Sequence, residues 1–180
     1  MAPVTVHAVK KNMTKFLAAA VVATGFGAAA LPAHAQNAVT LTATDSSLSQ
    51  WAHIVQLAGL TQAGQTNTVT VFAITNKGFE TVNQAYSNAL KSPGRTGSPN
   101  FQRMQALVRT QAVFGLHPMS DFKFKTVTLT SVAGTPIVVD GSNPAKITIK
   151  TKYITGTVGD QPLSSSQAVI YPVTVVHVNQ

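Results

Sequence analysis

The pattern of apolar and polar residues predicts three helices and one strand before residue 115. One apolar stripe at helical spacing follows the polar residues 45–47, and another follows Asn76, which we expect to cap its helix. Between them, residues 68–74 are apolar and β-branched, as in a buried strand. The third helix follows a loop over residues 91–100 that is rich in Pro and Gly. The stripes contain Leu48, Trp51, Ile54 and Val55, then Phe79, Val82, Tyr86, Ala89 and Leu90, then Phe101, Met104, Leu107, Val108, Gln111 and Ala112.

After Pro118 the pattern changes from helical to extended. Apolar or alternating segments are separated there by turns rich in Gly, Pro, Asn and Asp, which predicts a series of strands. The predicted strands cover residues 125–130, 137–139, 146–150, 153–156 and 168–178. Helices followed by strands are typical of an α+β domain, whereas an α/β domain alternates the two.

The first 35 residues have the three parts of a secretory signal peptide. Lysines within residues 10–15 form the basic start, residues 16–30 are uncharged and rich in Ala, and residues 33–35 give the small-x-small pattern of a cleavage site. We therefore expect cleavage after Ala35, with translation starting at Met1 or Met13. A membrane anchor is the alternative, but a spanning helix needs about 20 apolar residues, and this run is shorter.

Removal of the signal leaves a short N-terminal segment, residues 36–44, and one domain over residues 45–179. The chain has no cysteine, which excludes disulfides, thiolate metal sites, thiol nucleophiles and a lipid anchor on Cys. Export without disulfides favours a bacterial periplasm or cell exterior over a eukaryotic secretory route. We expect no membrane span in the mature chain.

The mature chain is moderately basic. Three of the 13 Lys and Arg residues lie in the signal, which leaves ten against five Asp and Glu, or +5 (10 − 5). Scattered basic residues are typical of a solvated surface, and the alternative is attraction to anionic polymers such as lipopolysaccharide or acidic exopolysaccharide. Lys146, Lys150 and Lys152 are the candidate contacts because their spacing predicts one face of a strand. Nucleic acid is not expected, because aromatic and basic residues are not interleaved.

Three segments, in order, resemble the signature blocks of fasciclin domains. Residues 70–79 read Thr-Val-Phe-Ala-Ile-Thr-Asn-Lys-Gly-Phe, a strand that runs through Thr-Asn into a helix, and they resemble the first block. Leu116-His117 lies where the family has Tyr-His, and residues 169–176 resemble its last strand. The residues that carry the resemblance are Thr70, Val71, Phe72, Thr75, Asn76, Phe79, Leu116, His117 and Val176.

The fasciclin resemblance covers most of the mature chain, from about residue 45 to residue 178. It implies a wedge-shaped β-sandwich flanked by helices packed from the N-terminal half. It also implies a role in binding or adhesion at a cell surface or extracellular matrix. The chain departs from the family at Ile74, which replaces a Pro, and at Leu116, which replaces the Tyr of Tyr-His.

Candidate catalytic and metal-binding residues are few. No H-E-x-x-H, G-x-S-x-G or G-K-[ST] motif occurs, and the spacing of His53, His117 and His177 does not require them to converge on a metal. Asp121 follows His117 at i+4, but Pro118 interrupts any helix there, so we interpret His117 as a structural residue bonded to backbone.

The sequence therefore predicts an exported, non-catalytic module without a cofactor or a metal. Its expected partner is an envelope or matrix polysaccharide or a surface protein. The alternatives are a periplasmic ligand-binding or structural stress-related protein and, more distantly, a hydrolase.

Overall fold

The computed structural model describes residues 33–58, 68–82, 88 and 90–178. The predicted signal peptide lies outside the described residues except for its last three positions. Helices α1 and α2 come first, α3 follows the first strand, and α4 leads into the remaining strands. The helices are α1 (Ala33–Ala43), α2 (Ser49–Ala58), α3 (Asn76–Thr81) and α4 (Pro99–Thr110). The strands are β1 (Val69–Ile74), β2 (Ala112–Phe114), β3 (Thr126–Thr130), β4 (Pro136–Asp140), β5 (Thr148–Lys150), β6 (Ile154–Val158), β7 (Leu163–Ser164) and β8 (Ala168–Val178).

The eight strands form one mixed sheet in the order β2-β1-β8-β6-β5-β4-β3, with β7 beside β8. β1 and β8 run parallel in the middle of one half, and the other neighbours are antiparallel. A bridge between Val113 in β2 and Ser131 after β3 joins the two ends of the sheet, so the sheet curves almost into a closed barrel. The predicted α+β fold, a wedge of strands flanked by helices, is confirmed, with all strands in a single continuous sheet.

The core lies inside the curved sheet and between the sheet and the helices. β1 is buried along nearly its whole length, as its continuous apolar composition requires of a strand covered on both faces. Phe72, Phe122 and Tyr171 are fully buried and form an aromatic cluster. Ring centroids are 5.5 Å apart for Phe72 and Tyr171 and 5.7 Å apart for Phe122 and Tyr171, within the range of favourable aromatic pairs.

Two of the predicted helices are shorter than their apolar stripes suggest. α3 ends at Thr81 because Val82 has an extended backbone, and the Thr81 hydroxyl exchanges hydrogen bonds with the backbone of Val176 in β8. Residues 83–87 and 89, which include Tyr86 and Ala89 of that stripe, lie outside the described residues, whereas Leu90 at its end is buried. α4 ends at Thr110, and the expected helical continuation is wrong because the next residues pair with β1 as strand β2.

The segment expected to precede the domain is also structured. Residues 36–43 belong to α1, which packs against α2 and β8. The Thr42 side chain is buried, and its hydroxyl donates to the Val39 carbonyl oxygen at 2.8 Å. Over the described part of the chain, no helix combines the length and apolar character that crossing a bilayer requires.

Candidate functional site

Two adjoining clefts lie where the end of α4 faces the turns around β4 and β5. The first, here named the helix lobe, has a volume of about 360 Å³. The second, the strand lobe, has a volume of about 380 Å³. Thr135 and Lys152 line both lobes, so the two form one surface feature, which we name the basic cleft. The helix lobe is also lined by Gln102, Gln105, Arg109 and Tyr153, and the strand lobe by Pro136, Val138, Lys150 and Thr151.

The amphipathic character of α4 orients its contribution to the basic cleft. Ser98 caps the helix, since its hydroxyl accepts a hydrogen bond from the Phe101 amide at 3.2 Å, and Pro99 occupies the first turn. Met104, Leu107 and Val108 are buried in the core. The polar residues Gln102, Gln105 and Arg109 follow one another at i, i+3 and i+7, so they share the opposite face and line the helix lobe.

One buried hydrogen bond ties α4 to the far wall of the cleft. Gln111, directly after the helix, is fully buried, and its side-chain nitrogen donates to the Thr151 hydroxyl oxygen at 3.0 Å. The same hydroxyl oxygen accepts from the amides of Tyr153 and Ile154 at 3.3 and 3.1 Å. Because these contacts fix the loop after β5 against the end of α4, the segments that carry Arg109 and Lys152 are held beside the same lobe.

The cleft has a strongly positive lining. Arg109, Lys150 and Lys152 are all exposed, and no Asp or Glu occurs among the described residues that line either lobe. The Lys152 ammonium lies 5.3 Å from the centre of the Tyr153 ring, a cation–π arrangement that favours one position of the flexible lysine. Like charges without a neutralising carboxylate attract anions and concentrate them at the surface.

The three lysines that were predicted to share one strand face lie in different local structures. Lys146 lies in the turn before β5, Lys150 is the last residue of β5, and Lys152 follows in a bend, so the prediction of one shared strand face is wrong. The physical reason is that β5 has only three residues and the chain turns directly after it. Lys150 and Lys152 still meet in the strand lobe, whereas Lys146 does not line either lobe.

The sequence pattern does not single out Arg109 as a contact residue. Its position on the polar face of α4, seven residues after Gln102, was the available signal. The pattern does not reveal that this face lies opposite the loop after β5, because the Gln111–Thr151 contact that places it joins residues far apart in the chain.

The first signature block lies in and directly after β1. Val71 and Phe72 are core residues, and Thr70 is fully buried. The Thr70 hydroxyl donates to the Gly115 carbonyl oxygen at 2.8 Å and accepts from the His117 amide at 2.9 Å. Thr70 therefore holds the loop that carries Leu116 and His117 against the sheet.

The predicted role of Asn76 as the cap of its own helix is wrong. Thr75 is the N-cap of α3, and its hydroxyl accepts from the Gly78 amide at 3.0 Å. The Asn76 side chain instead accepts from the Gln50 amide at 3.1 Å and donates to the Ser46 carbonyl and the Ser49 hydroxyl, both at 3.0 Å. Asn76 thus satisfies the N-terminus of α2, a different helix.

Phe79 and Val176 connect the helices with the sheet. Phe79 is buried and stacks on the fully buried Trp51 of α2, with ring centroids 6.3 Å apart. Val176 is fully buried in β8, where its backbone exchanges hydrogen bonds with Thr81 at the end of α3.

His117 makes its hydrogen bonds to the fold through its backbone. Its amide donates to Thr70, and its carbonyl oxygen accepts from the Tyr171 hydroxyl at 2.8 Å. The His117 ring is 26% exposed and lies 3.5 Å from a carboxylate oxygen of Asp121, which is 44% exposed. Leu116, beside it, is also exposed. Burial and the charge of Asp121 raise the pKa of Tyr171 from 10.0 to about 12, so this hydroxyl remains a donor.

The other two candidate histidines lie apart from His117 and Asp121. His53 and His177 are exposed on α2 and β8. Within the described ranges, no three His, Asp or Glu side chains gather as potential metal ligands.

Comparison with known proteins finds one family model and a solved structure that are similar to this chain. The Fasciclin domain model matches residues 46–176. A solved structure of a FAS1 domain pair from the insect cell adhesion molecule fasciclin I is similar at 12% identity with a TM-score of 0.45. The match covers 78% of this chain and 44% of that chain, so this chain spans less than half of that chain's length. No curated protein matches the chain.

Proposed function

Because the chain belongs to the fasciclin domain family, we propose that it is an exported, non-catalytic module that binds a cell-surface or extracellular-matrix component. The observation that carries this proposal is the basic cleft, a cationic surface where a buried hydrogen bond joins the end of α4 to the loop after β5. The location is a bacterial periplasm or cell exterior, where anionic polymers are abundant. The contact residues are Lys150 and Lys152, together with Arg109.

Export is supported by the first 35 residues, which combine a basic start, an apolar run and a small-x-small site. We expect the exported protein to begin at Gln36, as measured by mass spectrometry of its N-terminal peptide. A product that retains residues 16–30 would contradict cleavage and favour a membrane anchor.

A non-catalytic role fits the chemistry around the closest acid–base pair. His117 and Asp121 lie side by side, but in the described part of the chain no Ser or Thr hydroxyl bonds to the His117 ring. The nearby Tyr171 hydroxyl is committed to the His117 carbonyl oxygen, and its raised pKa opposes ionisation to a nucleophile. Turnover of an envelope substrate by the purified protein would overturn this part of the proposal.

The binding proposal is tested by retention of the protein on a purified envelope fraction. We expect retention at low salt and release at high salt, because the screening length falls from about 10 Å at 0.1 M to about 3 Å at 1 M ionic strength. The variant Lys150→Gln/Lys152→Gln should bind more weakly than Lys123→Gln/Lys125→Gln, which removes equal charge from exposed positions outside the cleft. Equal binding by the two variants would eliminate the cleft as the contact surface.

A different cleft favours the second candidate, a periplasmic ligand-binding protein. It has a volume of about 380 Å³, with Ile54, Phe79 and Leu90 as apolar lining and His53 and Lys91 as polar lining. This combination suits a small amphiphilic ligand. Thermal stabilisation by such a ligand, lost in the variants His53→Ala and Lys91→Ala, would favour this candidate.

A further inference from the structure

We propose that the basic cleft binds a polysaccharide with repeated acidic groups, in which Arg109 and Lys152 hold one anionic group and Lys150 holds a neighbouring one. This inference rests on the proposed function and names the chemical class of its partner. Arg109 and Lys152 line the helix lobe, Lys150 and Lys152 line the strand lobe, and Lys152 is shared.

The charge of the site selects an anion. The three cations line one cleft whose described lining holds no carboxylate, and the Gln111–Thr151 hydrogen bond fixes the segments that carry them. A carboxylate or sulfate group in the helix lobe would neutralise part of this positive charge. Arginine also presents a planar pair of donors that matches both groups in a two-bond geometry, whereas a lysine acts as a point charge.

The arrangement of the lobes selects a polymer over a single small anion. Each of the three cations is exposed, and one exposed ion pair changes an equilibrium only about two- to fivefold. Useful affinity therefore needs several contacts on one molecule, because linked groups bind at a high effective concentration. Two lobes that share Lys152 provide successive cationic positions for such a chain.

The remaining lining selects carbohydrate over an acidic peptide. The side-chain nitrogens of Gln102 and Gln105 already donate to the backbone carbonyl oxygens of Gly97 and Ala58, both at 3.1 Å, so these residues offer the helix lobe their amide oxygens. An amide oxygen accepts from hydroxyl groups, in which a carbohydrate is rich. The apolar residues of that lobe are the small Ala106 and Ala133. A peptide partner gains most of its affinity from large side chains in deep apolar pockets, and this lobe has no such lining among the described residues.

The same lining disfavours single-stranded nucleic acid. Base binding relies on open aromatic faces on which successive bases stack. Tyr153 is the aromatic residue among the described lining, it is half-buried, and the Lys152 ammonium lies over its ring.

The test measures affinity of the purified protein for defined polymers. Polygalacturonate supplies carboxylates, dextran sulfate supplies sulfates, dextran is the neutral control, and a single-stranded DNA is a polyanion of another class. We expect binding to at least one acidic polysaccharide, weaker binding to the DNA, and none to dextran. Preference between the first two polymers distinguishes a carboxylate from a sulfate as the anionic group.

Variants locate the binding. Arg109→Gln and Lys152→Gln should each weaken binding about two- to fivefold, and the matched variants Lys123→Gln and Lys125→Gln should have smaller effects. Arg109→Lys keeps the charge and loses the paired donors, so we expect it to weaken binding also. Similar effects from the cleft and control variants would overturn the assignment, as would equal binding to DNA.

The outcomes separate this inference from the proposed function. Retention on the envelope without preference for an acidic polysaccharide over dextran would overturn the inference and leave the proposed function standing. Polymer binding located in the cleft, without retention on the envelope, would support the inference and remove the proposed function.

Discussion

The Tyr171 hydroxyl donates a hydrogen bond of 2.8 Å to the backbone carbonyl oxygen of His117. This bond joins the last strand, which is fully buried at Tyr171, to the loop between β2 and β3. Thr70 in β1 holds the same loop through the His117 amide. The loop is thus fixed by side chains of two neighbouring parallel strands that act on its backbone.

Removal of the Tyr171 hydroxyl should lower stability without loss of the fold. Tyr171→Phe keeps the aromatic cluster and leaves the His117 carbonyl oxygen without this partner, so we expect a loss of about 1 kcal/mol. Urea unfolding measures the change. A much larger loss would show that the hydroxyl holds more than this one bond.

The raised pKa of Tyr171 predicts a loss of stability in alkaline solution. The unfolded tyrosine ionises near 10.0, whereas the folded one keeps its proton up to about 12. Between these values the folded state binds more protons, so the free energy of unfolding falls as pH rises. Below pH 10 the contribution is fully present. Across this pH range, the free energy of unfolding should fall less steeply for Tyr171→Phe than for the unsubstituted protein.

Replacement of the His117 side chain should have little effect. His117→Ala removes a partly exposed pair with Asp121, and such pairs contribute about 0–1 kcal/mol. Thr70→Val should cost more, about 1–3 kcal/mol, since it leaves two backbone groups without their partner. Thermal melts of the two variants measure which substitution lowers the stability more. A larger loss for His117→Ala would assign the structural role to the ring.

Asn76 should stabilise α2 more than α3. Asn76→Ala removes three hydrogen bonds to residues 46–50, and loss of a helix cap costs about 1 kcal/mol. Thr75→Ala should cost a similar amount through α3. Hydrogen exchange distinguishes the two, because Asn76→Ala should increase exchange at the Gln50 amide and Thr75→Ala at the Gly78 amide.

Gly141 should not tolerate a side chain. A Cβ atom there would overlap the backbone carbonyl of Phe122, which belongs to the fully buried aromatic cluster. We expect Gly141→Ala to cost about 1–3 kcal/mol, measured by urea unfolding. Gly134→Asn is the control, because Gly134 has open space around it and a φ of 76° that Asn tolerates. Equal losses in the two variants would contradict the steric argument.

Several elements were predictable because their local pattern and their burial agree. β1 and β8 are apolar strands at the centre of one half of the sheet, and the apolar pattern of residues 68–74 and 168–178 predicts both. β2 was not predictable, because its first residue, Ala112, fits the helical stripe of α4 and a strand of three residues is too short to show a period of its own. Only pairing with β1 converts them to a strand.

The candidate site was predictable in composition and not in geometry. Lys150 and Lys152 are close in sequence, so their proximity follows from any local conformation. Arg109 joins them only because the end of α4 lies beside the loop after β5, where Gln111 bonds to Thr151. Asn76 shows the same limit, since its residue type predicts capping but its partners lie in another helix.

The parallel pairing of β1 with β8 also governs the order of events during synthesis. Val69 pairs with Ala168, roughly a hundred residues later in the chain, and β8 separates β1 from every other strand except β2. A nascent chain cannot complete the sheet until its last strand has been made, and such distant pairing slows folding. The edge of β1 that pairs with β8 therefore stays without its native partner until nearly the whole domain has been synthesised.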